Sequence, residues 1–253
     1  MDKDGFWNLI DEVNRETGGR DRDSVLKATQ KKLVECSLRD IVDFHNLLSH
    51  YMDLADTPNL VAAAATINDG VSDDGFTDFR AWLISQGKAV YTNALKCADS
   101  LAEVEIDPEP YSTQFEFYGY IGSDAYNVKS LLERKGIEGI VDNEYFSMKP
   151  KGVELVKDIL ENHGTYENPH ADSEDPVEES LYLAVKGQLR SGDVYDEAKK
   201  RPLSERQKED IRSELEFEPP IEWKRRWTPG DLREAVPELY GKYMEHEYTI
   251  GGM

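Results

Sequence analysis

The stretch "NDGVSDDGFTDFRAWLISQG", residues 68–87, decides how the rest of the chain is read. Asn68, Asp69 and Gly70 have the composition of a helix end, where the backbone turns left-handed and glycine is favoured. Ser72 and Asp74 then stand where a helix begins, because a short oxygen-bearing side chain accepts a hydrogen bond from a free N–H of the first turn. Phe76, Phe79 and Leu83 recur at helical spacing with Trp82 beside them, and Gly87 closes the run. The stretch therefore predicts one helix ending, a turn, and a second helix, capped by either Ser72 or Asp74, over 76–86.

The same grammar extends in both directions. Asp4 is expected to cap an opening helix that carries Phe6, Trp7, Ile10 and Val13 and stops at Gly18 and Gly19; Asp23 or Ser24 opens the next. Ser37 followed by Asp40 resembles a capping box with Asp in place of Glu or Gln, ahead of Ile41, Phe44, Leu47, Leu48 and Tyr51. "ADTP" breaks that helix. "NLVAAAATIN" predicts a compact one whose four alanines suit close approach by a neighbouring helix. "KAVYTNALKCADSLAEV" reads as one helix, and so does "QFEFYGYIGSDAYNVKSLLERKG" despite Gly119 and Gly122. "TPGDLREAVPELYGKYMEHE" has Thr228 as N-cap, Pro229 at the first helical position and Asp231 at the third, with Pro237 set to kink or interrupt it.

The middle of the chain has a different texture. "GIEGIVDNEYFSMKPKG", residues 136–152, sets β-branched and aromatic residues between glycines and a proline, which predicts a short β-hairpin. Helices are expected over 153–164 and 176–192, with an acidic, proline-bearing linker over 165–180. "LSERQKEDIRSELEFE" reads as a helix polar almost all round, and "EFEPPIEW" as an extended connector. The expected fold class is mainly α, a multi-helix bundle with that short hairpin. The expected organisation is a helical domain over 1–135, an extra region over 136–220, and a C-terminal helix over 221–253 packing back on the first domain.

Composition narrows the function. With 51 acids against 30 bases the net charge is −21. Such a surface repels phosphate backbones and anionic lipid heads and attracts basic partners. Nucleic acid and membrane are therefore not expected as partners; a basic protein is. The first residues, "MDKDGFWNLIDEV", lack the pattern of a secretory signal, and no apolar run reaches the length of a membrane span, so a cytoplasmic location is expected. Cys36 and Cys97 are the two cysteines; outside any CxxC pair, they read as small buried apolar residues.

The chemistry-bearing candidates lie in the opening stretch. Two adjacent acids, Asp73 and Asp74, are more than one cap requires. Arg80 stands between Phe79 and Trp82, where a lone cation is costly unless paired, so Asp73, Asp74 or another acid should hold it. Alternatively Arg80 and Trp82 flank a pocket for an anionic or planar ligand, since guanidinium forks suit carboxylates and phosphates. The ligand-binding candidates are Ser72, Asp73, Asp74, Arg80, Trp82 and Gln86. Asp74 and Asp78, one turn apart, could share a divalent cation through waters, but the EF-hand pattern is absent and no metal is expected.

These residues, with the opening "MDKDGFWNLIDEVN", resemble a bacterial family of unknown function, number forty-two forty in the domain-of-unknown-function series. Its pattern is Phe-Trp near the N-terminus, Ile-Asn-x-Gly, then Ser-Asp-Asp-Gly-Phe leading into Phe-Arg-x-Trp-Leu-Ile-x-Gln-Gly. Phe6, Trp7, Ile67, Asn68, Gly70, Ser72 to Phe76, Phe79, Arg80, Trp82, Leu83, Ile84, Gln86 and Gly87 fit it. The likeness covers about residues 1–125 and the last 25 residues, where "DLREAVPELYGKY" is similar to the family's terminal segment. The region from about Gly136 to Pro220 is longer than the family's usual connector. The resemblance implies a shared fold element and brings no activity, cofactor or ligand with it.

Elsewhere the chain is bare of catalytic signatures. The five histidines, His45, His50, His163, His170 and His246, form no HExxH pair, and no Walker loop, nucleophile elbow or dinucleotide fingerprint occurs. "GIEGIVDN" lacks the strand–glycine–helix order of a phosphate loop, and Glu178/Glu179 lie in a field of like charge. The basic run "EWKRRW", with Lys224, Arg225 and Arg226, is expected to dock on the protein's own acids. No catalytic residue and no cofactor is expected. The functional expectation is a protein-interaction module with an acidic face, such as an immunity protein for a basic toxin. The alternative is a small-ligand binder or enzyme centred on Asp73, Asp74, Arg80 and Trp82.

Overall fold

The computed structural model describes residues 1–19, 21–107, 112–141 and 193–245, with 136–141 and 193 described through their backbone alone. Among the described residues the chain is mainly helical, with eleven α-helices, one 3-10 helix and no strand. In order these are α1 (Lys3–Thr17), α2 (Arg22–Glu35), α3 (Leu38–Leu54), α4 (Pro58–Ile67), α5 (Asp73–Ser85), α6 (Lys88–Lys96), the 3-10 helix (Ala98–Glu103), α7 (Glu116–Val141), α8 (Asp193–Lys200), α9 (Glu205–Ser213), α10 (Pro229–Ala235) and α11 (Pro237–Tyr243).

Several expectations need correction. α7 runs to Val141, so residues 136–141 of the expected hairpin are helical. The remainder of that hairpin, the acidic linker and the helices expected over 153–164 and 176–192 lie outside the described residues. The helix expected from Lys88 through Val104 breaks at Cys97, whose extended backbone (φ −156°) separates α6 from the 3-10 helix. That break leaves Cys97 exposed and Cys36 is half-buried, so neither is the buried apolar residue that its pattern suggested, and both are free thiols. α1 starts two residues earlier than expected: Asp2, not Asp4, accepts the Gly5 N–H at 2.8 Å. α8, "DVYDEAKK", is a helix that no sequence pattern singled out above predicts.

The chain divides into two compact units. The first comprises Met1–Leu9, Asp23–Asn46 and Tyr120–Pro202. Phe6 stacks edge-on with Trp7 and lies 4.8 Å from Phe44, all three buried. α7 crosses α3 at Gly122, where an added Cβ would meet the His45 Cβ at 3.1 Å and its Cα at 3.4 Å. The glycine that looked unfavourable for a helix therefore suits a close crossing, where a side chain would have to displace His45 by a few tenths of an ångström. His45 is 7% exposed and sits edge-on to Tyr195 at 5.0 Å.

Burial lowers the His45 proton affinity below that of an ordinary imidazole. The folded state thus holds His45 neutral, and the stabilisation is complete above the unfolded value. It is lost as pH falls through that value, near 6.5, toward the lower folded one. The urea midpoint is expected to fall between neutral pH and mildly acidic pH, and His45→Gln to flatten that dependence. A midpoint whose pH slope is the same in the variant would count against the buried neutral imidazole.

The second unit comprises Ile10–Arg22, Leu47–Gly119 and Leu203–Met253. Four of its helices are capped by their own preceding Thr or Ser, at Thr57, Ser72, Ser204 and Thr228, while α6 and α11 are capped from elsewhere in the unit. The carboxylate of Asp99, in the 3-10 helix, accepts the Glu238 and Leu239 N–H groups at 2.9 and 2.8 Å, supplying the cap that Val236 lacks at the start of α11. Lys242 of α11 returns the favour, donating to the carbonyls of Ala102 and Val104 at 2.7 and 2.8 Å. The alanine run of α4 is buried from Ala62 to Ala65, and Ala62 and Ala65 pack with Leu232 of α10 and Tyr240 of α11. Pro237 ends the preceding helix at Val236 and starts α11, because it has no N–H to continue the ladder.

Candidate functional site

The turn between α4 and α5 is built as a helix stop followed at once by a helix start. Asn68 is the C-cap of α4, and its Nδ2 donates to Ala64 O at 2.9 Å. Asp69 takes the left-handed conformation (φ 51°), and the Gly70 N–H returns to Ala65 O at 2.7 Å. That return bond, from the second residue past the cap to the third-last helical carbonyl, satisfies an otherwise orphaned acceptor. The left-handed position expected for Gly70 thus begins one residue earlier, at an aspartate, a residue type that tolerates it. Thr113 fixes the turn from the other side, donating to Asn68 Oδ1 at 2.8 Å.

Ser72 is the N-cap of α5 and accepts the Gly75 N–H at 3.0 Å. Asp73 and Asp74 occupy the first helical turn, exposed, where carboxylates meet the positive end of the helix dipole. Neither holds Arg80. The guanidinium donates to Met52 O and Thr77 Oγ1, both at 3.1 Å, lies 3.8 Å from Asp56 Oδ2, and sits 5.0 Å over the Phe76 ring. Met52 O is among the last carbonyls of α3, so Arg80 serves as a cationic cap on that helix end. Trp82 is buried at 5% exposure against Phe79, and Gln86 folds back on the end of α5, donating to Trp82 O and Ser85 Oγ. The six candidates are therefore distributed along one helix and brought to no common point.

What does open beside this turn is a cleft of about 450 Å³. Asp69, Gly70 and Val71 form one of its edges, from the same motif but one step before the residues singled out in sequence. The opposite edge is Arg225, Arg226 and Trp227. Leu232, Tyr240 and Met244 complete its apolar wall. The signal for this edge is the basic run "EWKRRW", whose three cations are expected from sequence to dock on the protein's own acids. Lys224 does so, 3.8 Å from Glu222 and 3.7 Å from Asp231, whereas Arg225 and Arg226 are exposed on the cleft. Among the described residues no group of three or more His, Cys, Asp or Glu side chains could hold a metal ion, and no helix is long and apolar enough to cross a membrane.

A family model described as "Protein of unknown function (DUF4240)" matches residues 1–128. The chain belongs to the DUF4240 family. The match contains α1 to α6, the α4–α5 turn and the start of α7, so one edge of the cleft lies within the family domain and the Arg225–Trp227 edge outside the matched residues. No curated protein and no solved structure matches this DUF4240 chain.

Proposed function

We propose that this DUF4240 protein is a cytoplasmic protein-interaction module whose acidic surface receives a basic partner, a toxin covered by its immunity protein being one concrete form. The observation that supports this reading is a group of like charges, Asp74 and Asp78 of α5 with Glu116 of α7. Burial pushes the Asp78 carboxyl up from its ordinary range, and the neighbouring charges of Glu116 and Asp74 push it further. Its ionised form is disfavoured in the fold, so at neutral pH the folded state carries a penalty that the unfolded chain does not. Carboxylates kept together at a cost to stability are what a surface matched to a basic partner requires, because complementary charge speeds association and rejects wrong partners.

The reading predicts opposite effects on stability and association. Asp78→Asn should raise stability by about 0.5 kcal/mol by relieving like-charge repulsion. Asp74→Asn with Asp78→Asn should slow capture of the partner roughly tenfold at low salt. The experiment is a pull-down with the full chain at low and high salt, followed by association rates for whatever is retained. A retained protein that is indifferent to salt and to both substitutions, or no retained protein at all, would remove this reading.

A further inference from the structure

The cleft between the α4–α5 turn and the Arg225–Trp227 segment is not used by the acidic-surface reading. Its volume of about 450 Å³ lies in the range of small-molecule sites. Its wall is apolar through Val71, Trp227, Leu232 and Tyr240. Three further features set it apart.

The first is charge. In a chain of 51 acids and 30 bases, a surface arginine ordinarily finds a carboxylate. Nearby cations do: Lys224 lies beside Glu222 and Asp231, and Arg233 lies 3.2 Å from Glu245 and 4.9 Å from the Tyr240 ring centroid. Arg225 and Arg226, adjacent on the cleft edge, have no carboxylate within ion-pair distance among the described residues. Two neighbouring guanidiniums repel each other, and a shared anion removes that repulsion while accepting their forked donors.

The second is an unmet donor. The indole Nε1 of Trp227, which lines the cleft, is buried with no acceptor among the described residues. A buried donor left unpaired costs free energy, which the indole would recover by turning toward a ligand oxygen. The third is Asp69, the single acid of the lining, which is held there by the left-handed turn. It disfavours a bare anion and favours one that also carries an amine or hydroxyl.

We propose that this cleft binds a small organic anion, its carboxylate or phosphate held by Arg225 and Arg226 and its apolar body lying against Val71, Trp227, Leu232 and Tyr240. The site is independent of the acidic surface: it takes a small anion where that surface takes a basic protein.

The test is a fluorescence titration of the full chain with anilinonaphthalene sulfonate, an apolar body with one fixed negative charge. The wild-type chain should give a saturable rise despite its net charge of −21, which repels the probe elsewhere. R225Q/R226Q should bind at least about tenfold more weakly, the loss of charge-assisted hydrogen bonds to one anion. Asp69→Asn keeps a residue suited to the left-handed turn and should tighten binding severalfold, so the site can be read even if the double variant folds poorly. The neutral analogue phenylnaphthylamine should bind all three proteins alike and more weakly. Displacement of the probe by phenylacetate or by phenyl phosphate supports the site and tells which anion it prefers. Equal probe affinity in wild type and both variants, or failure of both competitors, overturns it.

Discussion

Gly87→Ala is expected to lower the stability of this protein by about 3 kcal/mol, a loss of roughly 6–12 °C in Tm. Two separate effects combine there. Gly87 has φ 96° and ψ 168°, a region that only glycine enters freely, so any side chain is strained. A Cβ at this position would also lie 2.6 Å from Asp11 Oδ1 and 3.3 Å from Asn14 Nδ2. Those two atoms are already engaged. Asp11 Oδ1 accepts the Lys88 N–H at 3.2 Å and so caps α6, whose own N-cap has no side chain to do it. Asn14 Nδ2 donates to Ser85 O at 2.8 Å, closing the end of α5. Both groups come from α1, so one methyl would push α1 off the junction of two other helices. A double-mutant cycle with Asp11→Ala separates the effects: the clash disappears with the carboxylate, the backbone strain does not. The two substitutions together should therefore cost about 1 kcal/mol less than their sum. A Gly87→Ala protein within about 0.5 kcal/mol of wild type would contradict this account of the junction.

Asn59→Leu is expected to cost about 2–3 kcal/mol while keeping the side chain's size. Asn59 is 6% exposed, at the second position of α4, and acts as a substitute strand for the extended connector. Its Nδ2 donates to Pro219 O and its Oδ1 accepts the Ile221 N–H, both at 3.2 Å. Leucine would leave a backbone acceptor and a backbone donor unpaired. The connector keeps attachments upstream of Asn59's partners, at Glu216, whose carboxylate lies 2.7 Å from Lys96 Nζ, and at Glu218, whose N–H reaches Leu95 O and whose carboxylate accepts the Ala98 N–H, at 2.8 and 2.9 Å. The damage should therefore be local. Amide exchange is expected to accelerate over residues 219–227, which lead to the Arg225–Trp227 edge of the cleft, and to stay unchanged in α5 and α6. Uniform acceleration across the unit would show that Asn59 holds the global fold and not this strap.

The comparison of Gly87 with Asn59 shows how differently the two were legible. Gly87 announced itself as punctuation after Gln86, but the sequence suggested only that a helix ended there. That it stands against Asp11, 76 positions earlier, depends on α1 packing across the α5–α6 junction. Asn59 carried no signal at all, since a polar residue after a helix-opening proline is ordinary; its partners are 160 and 162 positions away. Arg80 is an intermediate case. Its position beside an apolar stripe implied a partner, and it has one, yet that partner is the end of α3 and Asp56 and not the acids on its own helix.

Local chemistry settled what is local in this protein. The helix starts at Ser72, Ser204 and Thr228 follow from short oxygen-bearing side chains, the break at Pro237 from a missing N–H, and the buried faces of α1 and α3 from apolar spacing. Tertiary structure alone decided which donors meet which acceptors across long separations. It placed Asp99 at the start of α11, brought α3 close to α7 at Gly122, and set Arg225 and Arg226 on a cleft without an ion pair to the acids they were expected to find. The reason is physical: capping and periodicity involve residues a turn apart, whereas a pocket is made by surfaces whose meeting no short stretch of chain encodes.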